Sequence, residues 1–254
     1  MFWSNVFVWD GTAADLTTLL DRVYLPTIKL LREDRKRQAT VALTTGFLEK
    51  LTGKQGRFLL SELRDLAVLQ QIDFATVEVQ DMPLPELENY LMRERQGIFG
   101  VLGDDVILRG HFAFAEKNPF ELVPTLHKLG YRWVLLDPLN VLGPYVDLMD
   151  DTIYELGTAG TVYAYFPNRV ANKILREGSV PTSRQFLERF PTKMDRKCYT
   201  VTTLSEQDLL NAPDGLWNLL DDLYADLAIR SWRVSVLEEL FQKRRRLEGE
   251  EVER

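Results

Sequence analysis

Asp10, Glu78, Glu116 and Asp137 are the residues from which chemistry can first be argued. Each falls near the C-terminal end of a run of β-forming residues: "NVFVW" (5–9), "ATVEVQ" (75–80), "VILRGHFAF" (106–114) and "RWVLLD" (132–137). β/α proteins build their sites at strand ends, because the loops there vary while the sheet stays rigid. Two carboxyl groups facing one cleft can break or transfer a glycosidic bond. One protonates the leaving oxygen, and the other attacks or activates water. Trp9, Phe112, Trp133, Tyr163 and Tyr165 lie on strand-like stretches and could stack on sugar rings. The same residue types have structural uses too. Acids after strands cap the next helix, and strand aromatics fill cores.

The elements that must position these residues alternate along the chain. The strands just named are joined by "ATVALTT" (39–45), "TVYAYFP" (161–167) and "CYTVTTL" (198–204). Between them run amphipathic stretches. Leu16, Leu19, Leu20, Val23 and Leu30 recur at helical spacing, as do Leu59, Leu63, Leu66 and Leu69. Pro83 and Pro85 suit a helix N-terminus. Strands separated by helices imply parallel pairing through right-handed crossovers. The expected fold is therefore α/β: a parallel, seven-stranded β/α barrel, complete or not, formed by residues 1–254 as one domain. A long amphipathic helix, about 214–247, carries Leu216, Leu220, Leu223 and Leu227 and is expected to pack on the outside.

Composition narrows the function classes. A net charge of −7 argues against nucleic acid as a partner. No run approaches the roughly 18 apolar residues of a membrane span, and the N-terminal stretch lacks a signal-peptide pattern. One cysteine, Cys198, fits a reducing compartment and a cytoplasmic location. At the start of a predicted strand it reads as a small core residue. Two histidines, His111 and His127, argue against a metal centre, and no cofactor-binding motif is present. The basic cluster from Lys243 is followed at once by acids and reads as a solvated end.

The order of these segments resembles glycoside hydrolase family 57, α-glucan hydrolases, branching enzymes and 4-α-glucanotransferases on a seven-stranded β/α barrel. "YLPTIKLLREDRKRQATVALTTGFLEKL" (24–51) looks like the family's first helix and second strand. "ATVEV" (75–79) looks like its Gly-x-Val-Glu strand end, with Ala75 for the glycine. "NPFELVPTLHKLGYRWVLLDP" (118–138) is similar to the segment after its nucleophile, and "VYAYFPNRVANKILREG" (162–178) to its sixth strand and following arginine.

The catalytic positions depart from that pattern. Where the family has His-Gln-Pro, this chain reads Trp9-Asp10-Gly11. Counted from Gly110, the nucleophile position is Ala115, with Glu116 one residue late. The acid/base position falls on Leu204 or Ser205. Of the family's polar set, Glu78 stands in place. The resemblance thus implies a catalytically degenerate barrel that keeps an oligosaccharide or α-glucan in its cleft, or serves a regulatory role. Trp9, Glu78, Arg109, His111 and Trp133 are the expected sugar-binding residues. The alternative is an active, diverged hydrolase or glucanotransferase using Glu116 with Asp10, Asp137 or Asp208. A third reading is an interaction protein whose terminal helix docks on a partner.

Strand alternation decides between Ala115 and Glu116 at this level. It sends Arg109, His111, Ala113 and Ala115 into the barrel, and Val106, Leu108, Phe112 and Phe114 under the helices. Glu116 then points outward and caps the helix that follows. A bulge within the strand would reverse the assignment, and a strand that ends before Ala115 would void it.

Overall fold

The computed structural model describes residues 1–78, 83–113, 119–136, 153–157, 161–189, 199–213, 215–240 and 244–247. Its strands are β1 (Phe2–Trp9), β2 (Ala39–Leu43), β3 (Ile72–Val77), β4 (Leu108–Ala113), β5 (Trp133–Leu136), β6 (Ile153–Leu156), β7 (Val162–Tyr165), β8 (Tyr199–Ser205), β9 (Arg230–Ser231) and β10 (Arg244–Leu247). Seven of them occupy the places the sequence indicates and pair in parallel in the order β7-β5-β4-β3-β2-β1-β8. β1 lies between β2 and β8, which is why it is apolar on both faces: strands inside a parallel sheet are covered twice. Three strands were not anticipated. β6 runs antiparallel beside β7, β10 lies parallel to β6, and β9 pairs with the start of β1.

The sheet curls through 243° and stays open, an incomplete barrel. The free edge of β8 is met by residues that follow β7. The Asn168 N–H donates to the Val201 carbonyl at 2.8 Å. The Asn172 amide accepts from the Thr203 N–H and donates to its hydroxyl, both at 2.9 Å. One side chain thus satisfies edge groups of β8 that a neighbouring strand would otherwise take.

Alternation divides the sheet into two cores. Trp3, Phe7, Trp9, Val41, Leu43 and Phe74 face the helices. Val6, Val8, Ala42, Ala75, Val77, Phe112, Trp133 and Tyr165 line the concave side. The first helical stretch, Leu16–Leu19, passes through a π-helical turn, Leu20–Tyr24, into Leu25–Arg32. Pro26 explains the wide turn. Its ring has no N–H to give and crowds the carbonyl of the preceding turn, and the Leu25 N–H reaches back to the Leu20 carbonyl instead. Such turns aim one side chain differently from its helical neighbours; here it is Tyr24.

The terminal helix departs from expectation. A helix does form over Leu216–Ala225, and Leu216, Leu219, Leu220 and Leu223 pack into the outer core. It stops at Asp226, whose backbone is extended and whose Oδ1 accepts from the Ala228 N–H at 2.8 Å. The chain then pairs with the start of β1: Met1 donates to the Ala228 carbonyl, Arg230 N–H to Met1 and Trp232 N–H to Trp3. A second helix, Val234–Leu240, lies on the concave side, with Val234 and Leu237 among the barrel residues. Its first turn is held by the Thr40 hydroxyl on the Val234 N–H (2.9 Å) and the Asp73 carboxylate on the Ser235 N–H (3.3 Å). The long outer helix of 214–247 is therefore two helices on opposite sides of the sheet. The apolar stripe proposed for a partner is mostly covered by the chain's own core.

These faces predict a contrast. Leu220→Ala is expected to lower stability by about 2–5 kcal/mol, the usual range for truncating a buried leucine. Leu227, 98% exposed in the turn, should tolerate the same change within about 0.5 kcal/mol. Equal midpoints for the two variants in urea denaturation would contradict the assignment.

Candidate functional site

The carboxyl ends of the parallel strands gather polar groups at one rim of the sheet. At the end of β1, Gly11 takes a left-handed turn, with φ +71°. Asp10 accepts from the Thr12 N–H (2.9 Å) and the Thr12 hydroxyl (2.7 Å). The Gly11 N–H points at β8's end, where Glu206 takes it on both carboxylate oxygens, at 2.9 and 3.1 Å. Tyr24, presented by the π-helical turn, donates its hydroxyl to Glu206 Oε1 at 2.5 Å. Lys50 closes the cluster from the helix Thr45–Leu51 by donating to the Gly11 carbonyl at 2.7 Å.

Glu206 is buried, and burial pushes its carboxyl pKa up against the opposing pull of Tyr24 and Gly11; Asp10 beside it adds to the rise. The Tyr24 hydroxyl is pushed up for the same two reasons, burial first and the Glu206 charge second. Glu206 lies one residue beyond the position that the resemblance assigns to the acid/base group, Leu204 or Ser205. A signal was available: "SEQD" is a capping-box pattern. Ser205 Oγ accepts from the Asp208 N–H, and Asp208 in turn accepts from the Ser205 N–H. Asp208 also pairs with Arg176 at 3.1 Å.

At the end of β3 stands Glu78, fully buried, its N–H bonded to the Phe112 carbonyl. The structure brings it close to His111, with Nε2 and Oε2 4.0 Å apart. His111 Nδ1 lies 3.1 Å from the Thr76 hydroxyl, which donates to the Tyr131 hydroxyl at 3.1 Å. Burial pushes the Tyr131 hydroxyl up to about 12. Thr76 and His111 alternate with Val77 and Phe112, which face the concave side. This polar network therefore lies between sheet and helices, not in the barrel.

The remaining expected residues disperse. Trp9 is buried on the helix side against Tyr24 and Phe47, ring centroids 4.8 and 6.1 Å away. Arg109 is exposed near the amino end of β4, at the opposite rim from Glu78. Trp133 lies on the concave side, edge-on to Tyr165 at 6.3 Å and covering Gly110. Glu116, Asp137 and Cys198 lie outside the described residues.

The alternation expected for β4 is overturned. β3 and β4 change register between Phe74↔Leu108 and Ala75↔Gly110, which leaves Arg109 as the extra residue of a bulge. Beyond it Phe112 is on the concave side and Ala113 under the helices, the reverse of the sequence assignment. The cause is local. Arg95 Nη1 takes the Leu108 carbonyl at 2.9 Å, while Arg132 N–H takes that of Arg109 at 2.7 Å. The alternation from which an outward Glu116 was expected is therefore not the one β4 follows. Among the described residues no group of three or more metal-ligating side chains occurs, and no helix is long and apolar enough to cross a membrane.

No protein-family model and no curated protein matches the sequence. Solved structures do match it in shape. The 4-α-glucanotransferase of Thermococcus litoralis superposes with a TM-score of 0.74 at 14% identity, over 97% of this chain and 39% of that enzyme. A GH57 branching enzyme of Thermococcus kodakaraensis gives 0.73 at 10% identity, over 97% and 72%. The GH57-type branching enzyme of Pyrococcus horikoshii gives 0.71 at 12%, over 96% and 71%. The chain spans well under half of the glucanotransferase, and at such identities the likeness is one of fold. That fold, an open and mostly parallel β/α barrel, is the one this chain shares with glycoside hydrolase family 57 enzymes.

Proposed function

We propose that residues 1–254 form one family-57-like barrel domain that no longer performs glycosyl transfer and instead binds an α-glucan or regulates a process that uses one. The observation that carries this reading is the end of β8. Leu204 is buried in the outer core, the Ser205 hydroxyl caps a helix, and the Glu206 carboxylate holds Gly11 and Tyr24. None of the three offers a carboxyl group to a leaving oxygen. The Asp10 and Asp208 carboxylates are likewise engaged, the first by Thr12 and the second by the Ser205 N–H and Arg176. A two-carboxyl mechanism loses orders of magnitude in rate when either partner is missing. The glucan part of the reading rests on the fold shared with a 4-α-glucanotransferase and branching enzymes.

A second reading has one observation in its favour. The bulge at Arg109 reverses the phase of β4, so the alternation argument against Glu116 as a nucleophile falls away. One assay separates the two. Purified protein incubated with starch, glycogen and maltooligosaccharides is expected to release no reducing ends and to form no transfer products. Turnover that disappears in Glu116→Ala, at unchanged melting temperature, would establish the active alternative.

A further inference from the structure

A cleft of about 250 Å³ opens on the outer helix layer, away from the strand ends. Pro26, Lys29, Leu30 and Glu33 line it from one side, and Trp217, Asn218 and Asp221 from the other. Its two acids are held in place from below. Arg37, its side chain 8% exposed, donates from one guanidinium nitrogen to Glu33 at 2.9 Å, and the same nitrogen forms an ion pair with Asp221 at 2.7 Å. The same nitrogen reaches the Leu30 carbonyl at 2.9 Å, and the guanidinium sits 5.9 Å from the Tyr224 ring centroid. The carboxylates themselves remain open, with side chains 45% and 52% exposed. Two acceptors pinned by one buried cation lose little freedom on binding, which is the condition for a useful polar contact.

An aromatic beside fixed carboxylates suits either a cation or a sugar, and the local charge decides between them. Arg37 and Lys29 contribute two positive charges, Glu33 and Asp221 two negative ones, so the site is neutral. A cationic ligand would meet no net attraction there. To a neutral polyhydroxylated ring the lining offers an indole, an amide at Asn218, carboxylate acceptors and an ammonium donor. The cleft lies below the range of about 300–1,000 Å³ typical for drug-sized ligands, which suits one sugar unit rather than a long chain.

We propose that this cleft is a sugar-binding site for a unit of an α-glucan, outside the barrel rim, with Trp217 as its stacking platform. The choice of α-glucan rests on the reading proposed above; the site itself rests on the cleft. Titration calorimetry of the full chain with maltoheptaose tests both. Binding that weakens at least tenfold in Trp217→Ala and in Asn218→Ala, with melting temperatures unchanged, is the expected result. Asn218 is exposed on the helix surface, so its variant remains informative if Trp217→Ala loses stability. Undiminished binding in both variants overturns this site and leaves the glucan reading standing. No heat from wild-type protein at any maltoheptaose concentration overturns both. Tetramethylammonium binding that depends on Trp217, with no such maltoheptaose binding, overturns the sugar assignment in favour of a cation.

Discussion

Glu206→Ala should lower stability by about 2–5 kcal/mol, because it strands two buried donors and opens a small void. The donors are the Gly11 N–H and the Tyr24 hydroxyl, which both end on this carboxylate. For a chain of this size that corresponds to a fall in Tm of roughly 5–15 °C. Glu206→Gln keeps an acceptor oxygen in place and should lose much less. Tyr24→Phe removes one donor along with its need, and should fall between. The pH dependence carries a further signature. Burial raises the folded-state pKa of Glu206 above that of an ordinary carboxyl, so the folded protein binds this proton more tightly than the unfolded chain. The stabilisation from that proton is complete below the unfolded value and is lost as pH rises through the folded one. Wild type should therefore lose stability against Glu206→Gln as pH rises from acid toward neutral. A Tm difference between the two that is flat across that window, or that opens in the other direction, would contradict the assignment.

Gly110→Ala should be the most damaging small substitution in the sheet. An added Cβ would lie 1.9 Å from a ring carbon of Trp133 and 2.2 Å from two more. The indole is 1% exposed and set among Tyr165 and the concave aliphatics, so it has nowhere to withdraw. Overpacking of this kind costs about 1–3 kcal/mol and sometimes more; the upper end is expected here. The cause can be isolated. In a Trp133→Leu background the methyl has room, and Gly110→Ala should cost about 1–3 kcal/mol less than in wild type, the coupling expected for residues in contact. Additive losses in urea denaturation would place the strain elsewhere. A Gly110→Ala variant that aggregates while the Trp133→Leu, Gly110→Ala double variant stays soluble would point to the same clash.

The two experiments probe sites that were legible in the sequence to different degrees. The seven parallel strands could be read because strands covered on both faces are written as continuous apolar runs, and the helices between them repeat at 3.6 residues. The absence of an acid at Leu204 and Ser205 was equally visible. Leu216, Leu220 and Leu223 also read correctly as one buried face.

Contacts between distant segments decided the rest. The same period carried the terminal helix through Leu227, yet the chain turns at Asp226 because Met1 and Trp3 offer backbone partners to residues 228–232. No local pattern encodes a partner more than 200 positions away. β4 alternates as expected until Arg95, on a helix, takes the Leu108 carbonyl and the register slips by one residue. A single slip exchanges every later side chain between helix layer and concave side. Glu206 acquires its role only because a π-helical turn before Pro26 brings Tyr24 to it and β1 runs beside β8. Periodicity in a sequence reports which faces are apolar; which surface each face meets is settled by tertiary pairing, and the chemistry at the rim follows from that.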